Sequence, residues 1–152
     1  MIQNDLTFVL HDVARLMRTK FDQKARDWGM TRAQCVLLMK LEHQPGLSQT
    51  ELAALLEVEP ITVARLIDRL EASGMVERRA DPDDRRMHRL HLLPAARPIL
   101  EKILCVRSRM IERFRAGIPD ADWDTAHKVL LHIKDKLLND TADAPVTAEA
   151  GE

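Results

Sequence analysis

The sequence predicts a mainly α fold with a small β-ribbon: a winged helix-turn-helix carrying additional helices at both ends. Three observations lead there. Ser48 followed three residues later by Glu51 is a capping-box pattern, in which each side chain satisfies the other residue's orphan backbone N–H at a helix start. Pro60 stands where a second helix would open, and Gly74 where it would close with positive φ. Beyond Gly74, two short β-compatible runs flank the turn-forming cluster Ala80-Asp81-Pro82-Asp83-Asp84.

In chain order, a first helix is expected over residues 6 to 27, because Leu6, Val9, Leu10, Val13, Leu16, Met17 and Phe21 recur at three and four. Trp28-Gly29-Met30-Thr31 ends it, and Thr31 caps a second helix from Arg32 to His43, apolar enough to be buried. Gln44-Pro45-Gly46 stops that helix ahead of Ser48. The helix begun at Ser48 places Leu52, Leu55 and Leu56 on one face, and Glu57-Val58-Glu59 interrupts the pattern before Pro60. The next helix carries an apolar edge of Ile61, Ala64, Ile67 and Leu70. Met75 to Arg79 reads as one strand; in the other, His88, Leu90 and Leu92 alternate with Met87, Arg89 and His91. A long helix over Ala95 to Ala116 and a last one over Asp122 to Leu138 are both amphipathic.

This plan has a chemical meaning. A helix that exposes Thr62, Arg65 and Arg69, followed by a ribbon tipped by Arg85 and Arg86, offers a major-groove reader and a minor-groove or backbone probe. Arg65 suits bidentate donation to guanine, and Arg85 a narrow, electronegative minor groove. Arg86 is open to a second role, holding the wing to the body of the domain. Double-stranded DNA is the partner these residues imply, with Pro60, Ile61, Thr62, Arg65, Arg69, Arg85 and Arg86 as the contact set and Asp83 and Asp84 bracing the wing arginines.

The stretch from Leu47 to Leu92 resembles the MarR family of transcriptional regulators and looks closest to its SlyA-like branch. The carrying residues are the run from Glu59 to Glu71 with Gly74, Val76 and Arg78, and the wing motif Asp81-Pro82-Asp83-Asp84-Arg85-Arg86. The likeness extends over roughly residues 5 to 138, and it departs at Leu92-Leu93-Pro94-Ala95-Ala96, where the family usually has Leu-Thr-x-x-Gly. The resemblance implies a homodimer, and a small aromatic acid or phenolic effector that releases DNA from a cleft between dimerisation helices and winged domain. His11 and Arg15, four apart on the first helix, could present donors to such an anion; a half-exposed polar edge beside the dimer seam is an equal reading. The peroxide-sensing branch carries its reactive cysteine where this chain has Thr7, which disfavours that mode of sensing.

Composition sets the outer limits. The 152 residues suit one compact protomer; 45% are hydrophobic and only 3% aromatic, so Leu, Val, Ile and Met must build the core. No run approaches the roughly 20 apolar positions of a membrane span, and the start lacks a basic signal-peptide region, so a cytoplasmic protein without membrane contact is expected. A net charge of -1 gives no general field for nucleic acid, so placement of arginines has to replace their number. It also leaves a protein-interaction module as a rival use of the winged helix.

The organisation expected is dimerisation helices at 1–31 and 95–140, a DNA-binding domain at 32–94 and a disordered tail at 141–152. Two chains entwined through their terminal helices would bury stripes that the winged motif alone cannot. Cys35 and Cys105 both read as small buried hydrophobes. A metal- or thiol-responsive sensor is a weaker rival: His88 and His91 fall on opposite strand faces, and His127 and His132 are five apart, off the spacing that shares a helix face. No metal or other cofactor is expected. Neither a phosphate-cradling loop nor a catalytic elbow is present, so the chain does not read as an enzyme.

Overall fold

A computed structural model describes residues 5–139. The expected tail at 141–152 lies outside the described residues. Six α-helices and one hairpin follow in the order α1 (Leu6–Asp27), α2 (Arg32–His43), α3 (Gln49–Leu56), α4 (Pro60–Ala72), β1 (Val76–Ala80), β2 (His88–Leu92), α5 (Arg97–Arg115) and α6 (Asp120–Asn139). By internal contacts the chain divides into two compact units, Met1–Val106 and Arg107–Glu152, a division that falls within α5. No helix among the described residues is long and apolar enough to cross a membrane.

The punctuation acts through its hydrogen bonds. Ser48 accepts from the Glu51 N–H while the Glu51 carboxylate accepts from the Ser48 N–H at 2.7 Å. Thr31 forms a second such box with Gln34, a reciprocity that the Thr-x-x-Gln spacing signals. Pro60 takes the first turn of α4, where its missing N–H costs nothing, and Gly74 leaves the helix at φ 70°. Between α3 and α4 the chain turns at Glu57, which sits in the left-handed region (φ 52°, ψ 43°) without being glycine. That conformation costs a Cβ-bearing residue about 1–2 kcal/mol, partly offset by the freedom a glycine would lose on folding. Glu57→Gly should therefore raise the melting temperature by about 2–4 °C, corresponding to roughly 1 kcal/mol. An unchanged or lower melting temperature would show that Glu57 stabilises the turn by other means.

The core lies in the first unit. Leu37, Leu38 and Leu41 of α2, Leu52 of α3, Val63, Ile67 and Leu70 of α4, Val76 of β1, Leu90 of β2, and Leu100 and Ile103 of α5 are buried together. The hairpin is antiparallel, with Val76 opposite Leu92 and Arg78 opposite Leu90. Leu90 also donates to the Leu47 carbonyl and accepts from Gly46, so the entry to α3 runs beside β2 as a third, one-bridge partner. This pairing fixes the wing against the helix-turn-helix.

Several expectations need correction. The long helix expected over Ala95 to Ala116 runs from Arg97 to Arg115, led in by a 3-10 turn at Pro94–Ala96. The strand expected from Met75 to Arg79 runs one residue later, and the last helix begins at Asp120 rather than Asp122. Cys105 is exposed, not buried: the inward face of α5 is set by Ile99, Leu100 and Ile103, and Cys105 lies two residues, about 200°, beyond Ile103. Cys35 is buried as expected, and burial pushes its thiol up to about 11, which keeps it protonated.

The terminal helices differ from the core helices in what they bury. In α1 Ala25 is the one residue fully enclosed, and Leu6, Phe8, Val9, Leu10, Val13, Leu16 and Met17 are exposed. No residue of α6 is buried, and Leu137 and Leu138 are 72% and 70% exposed. The turn into α6 is held locally: Arg115 donates to Asp120 at 2.6 Å and stacks 5.5 Å from the Trp123 ring centre.

Candidate nucleic-acid interface

The outward face of α4 follows from its inward one. Val63, Leu66, Ile67 and Leu70 are buried. At 100° per residue, Ile61, Thr62, Arg65 and Arg69 then share an arc of about 100° on the opposite side, and all four are exposed. Pro60 is exposed at the start of the helix. The Thr62 N–H donates to the Glu59 carbonyl at 2.9 Å, but its hydroxyl makes no hydrogen bond among the described residues. Arg65 and Arg69 likewise have no ion-pair partner there, while ten other pairs are formed. Two guanidiniums left unpaired on a chain this rich in carboxylates are available for an external anion or base edge.

The wing tip spans Asp81 to Met87, closed by Asp81 N–H to the Met87 carbonyl and Met87 N–H to the Asp84 carbonyl, each at 2.9 Å. Arg85 and Arg86 project from it, exposed. The bracing assigned to Asp83 and Asp84 is made elsewhere. Neither carboxylate pairs with a wing arginine among the described residues; Asp84 accepts only from the Arg86 backbone N–H at 2.9 Å. The brace is Asp81, which is buried and accepts from the backbone N–H groups of Asp83 and Asp84 and from Arg89 Nε at 2.6 Å. Nor does Arg86 tie the wing to the body. Arg89 does so, reaching Glu51 Oε2 at 3.1 Å and the Gly46 carbonyl at 3.4 Å.

The electrostatics follow this geometry. The Arg89 guanidinium, helped by the Asp83 N–H, holds the Asp81 carboxyl below the ordinary value of 3.8. The Ser48 N–H does the same for Glu51. A second clamp joins the hairpin to α4: Arg78 donates to Asp68 at 2.6 Å and to Glu71, whose carboxylate also accepts from the Arg78 N–H at 3.2 Å. The sequence sets Arg78, Arg79, Arg85, Arg86 and Arg89 against Glu77, Asp81, Asp83 and Asp84 around the wing, acidic residues placed to brace arginines, without saying which pair with which. Their partners become visible only once strand register is known. Between the start of α3 and the wing lies a cleft of about 240 Å³ lined by Ser48, Gln49, Thr50, Arg86 and His88 among others.

His11 and Arg15 are both exposed on α1, and Arg15 is engaged by Asp12 at 3.2 Å. The Thr19 hydroxyl donates to the Arg15 carbonyl at 3.1 Å, and no other polar partner reaches either side chain among the described residues.

A buried helix pair, an outward arginine face and a braced arginine-tipped hairpin define a winged-helix protein of the DNA-binding class. Residues 30–88 match the MarR family model. An uncharacterized HTH-type transcriptional regulator of Bacillus subtilis (strain 168), YsmB, is 26% identical over 133 residues, covering 88% of this chain and 91% of its own. The crystal structure of MarR superposes with a TM-score of 0.76 at 27% identity, covering 88% and 91% of the two chains. The Staphylococcus aureus MepR–DNA complex gives a TM-score of 0.75 at 21% identity, covering 88% and 96%, and shows the same fold.

Proposed function

We propose that the chain acts in the cytoplasm as a homodimeric repressor that occupies a pseudo-palindromic duplex, with α4 in the major groove and the Arg85 wing in the minor groove. One observation carries this reading: Arg65 and Arg69 on the outward face of α4, and Arg85 and Arg86 at the wing tip, stand exposed, their guanidiniums with no carboxylate partner among the described residues. The MepR–DNA complex, in which a protein of the same fold is bound to DNA, supports it. Pro60, Ile61 and Thr62 complete the contact surface at the start of α4.

Dimerisation through α1, α5 and α6 is supported by their apolar exposure. Leu6, Phe8, Val9, Leu10, Val13, Leu16 and Met17 are all exposed along α1, and a second copy offers the matching stripe to cover them. Two such protomers would set their α4 helices about one duplex turn, 34–36 Å, apart. A small aromatic acid that favours another spacing would release the duplex, with His11 and Arg15 as its donors and Asp12 as its competitor for Arg15.

The test is titration of the purified chain against a duplex from its own upstream region over a range of salt. Arg65→Ala should weaken binding by roughly 5- to 150-fold and blur discrimination between duplexes. Arg85→Ala should weaken binding to all of them and reduce the salt slope by about 1. Salicylate, used as the probe acid, should release the duplex from the wild type and not from Arg15→Ala. Wild-type affinity in both arginine variants would overturn the assignment.

A further inference from the structure

We propose that Ile61 reads a thymine through its 5-methyl group, making the start of α4 an apolar specificity determinant one helical turn ahead of Arg65. The inference rests on the placement of α4 in the major groove and adds to it the identity of a base. Ile61 is 62% exposed and stands on the helix side opposite Val63, Ile67 and Leu70, at one end of the arc it shares with Arg65, Arg69 and Thr62. Leaving a large β-branched side chain there in water gains the folded protomer nothing, because no neighbour covers it.

Its surroundings narrow the choice of what does cover it. Arg65 lies 40° round the helix and Arg69 80°, so the face as a whole suits a polyanion. Glu57 and Glu59, both exposed, flank the start of the helix and disfavour a phosphate at that end. An apolar side chain on a DNA-reading face, held away from the backbone, has one apolar group within reach on unmodified base edges. That group is the thymine methyl; cytosine presents only a C5–H at the same place, and the remaining polar positions are hydrogen-bond donors or acceptors. The four-residue separation from Arg65 corresponds to about 6 Å along the helix. With base steps of about 3.4 Å, the thymine falls within two steps of the guanine taken by Arg65.

The experiment begins by enriching duplexes from a randomised double-stranded library with the full chain. The enriched sequence is then remade with each thymine replaced in turn by deoxyuridine, which removes the methyl and leaves every hydrogen bond intact. One position per half-site should weaken wild-type binding about fourfold, the worth of one buried methyl. Ile61→Ala should bind the thymine and uracil duplexes equally, while Arg65→Ala should keep the thymine preference and lose affinity overall. Equal wild-type affinity for every uracil duplex overturns the assignment, and so does a thymine preference that survives in Ile61→Ala. Both outcomes leave the groove placement standing. Failure to enrich any duplex removes the placement and the assignment together. Because Ile61 is exposed, unchanged circular dichroism in the variant separates lost reading from lost folding.

Discussion

Replacing Asp81 by asparagine should weaken duplex binding by at least roughly tenfold, comparable to the loss of one well-placed base contact, although Asp81 itself touches no duplex. The buried carboxylate gathers the Asp83 N–H, the Asp84 N–H and the Arg89 guanidinium, and these three contacts hold the tip that presents Arg85. With the charge removed, Arg89 keeps only Glu51 and the Gly46 carbonyl, and it stands directly opposite Arg79 in register. Like charges in that position repel, and the tip loses its fixed orientation. Helix content should be unchanged, so far-UV circular dichroism is the control. The pH dependence provides a second readout. Because folding lowers the Asp81 pKa below 3.8, its contribution to stability is fully present above the unfolded value and disappears as pH falls through the lower folded value. The melting-temperature gap between wild type and Asp81→Asn should thus be constant at neutral pH and close in strong acid. A gap that persists unchanged at low pH, or full duplex affinity in the variant, would rule out the brace.

The largest stability effect is expected at Ile67. It is fully enclosed at the centre of α4, among side chains from the helices and the hairpin. Ile67→Ala deletes buried methyl groups and leaves a cavity that the surrounding structure fills only in part, costing about 2–5 kcal/mol. For a chain of this size the melting temperature should fall by roughly 5–15 °C. Ile61→Ala makes the same chemical deletion six residues earlier on the same helix and should change stability by no more than about 0.5 kcal/mol. The pair separates the two faces of α4: one variant loses stability, the other recognition. A loss below about 1 kcal/mol at Ile67 would contradict the packing described.

These residues also show what could be read from sequence and what could not. Ser48 with Glu51, Pro60 and Gly74 act within a few residues of themselves, so their spacing alone marks α3 and α4. The outward set Thr62, Arg65 and Arg69 follows from helical period once the apolar edge is known, although Val63 and Leu66 join that edge and Ile61 leaves it. Helical period puts Ile61 on the apolar edge, and its exposure takes it off that edge. The wing brace behaved differently. Asp81 and Arg89 are eight residues apart and meet only because Val76 pairs with Leu92. Asp83 and Asp84, adjacent to the arginines in sequence, were the natural choice, but the tip turn leaves neither paired with them. The contact of Arg89 with Glu51, 38 residues away, has no local signature at all. Likewise Cys105 looks apolar in a string of apolar residues, and only the phase of α5 turns it outward.

The clamp of Arg78 on Asp68 and Glu71 has a metric consequence. It welds the hairpin stem to α4 through side chain and backbone together, so the two elements cannot shift independently. If α4 and the wing tip engage one duplex as proposed, the protomer behaves as a caliper with a fixed jaw, and tolerance to an inserted base pair must come from bending of the nucleic acid. Sequences between the two points of contact are then sorted by how readily they deform, whether or not any side chain reaches them.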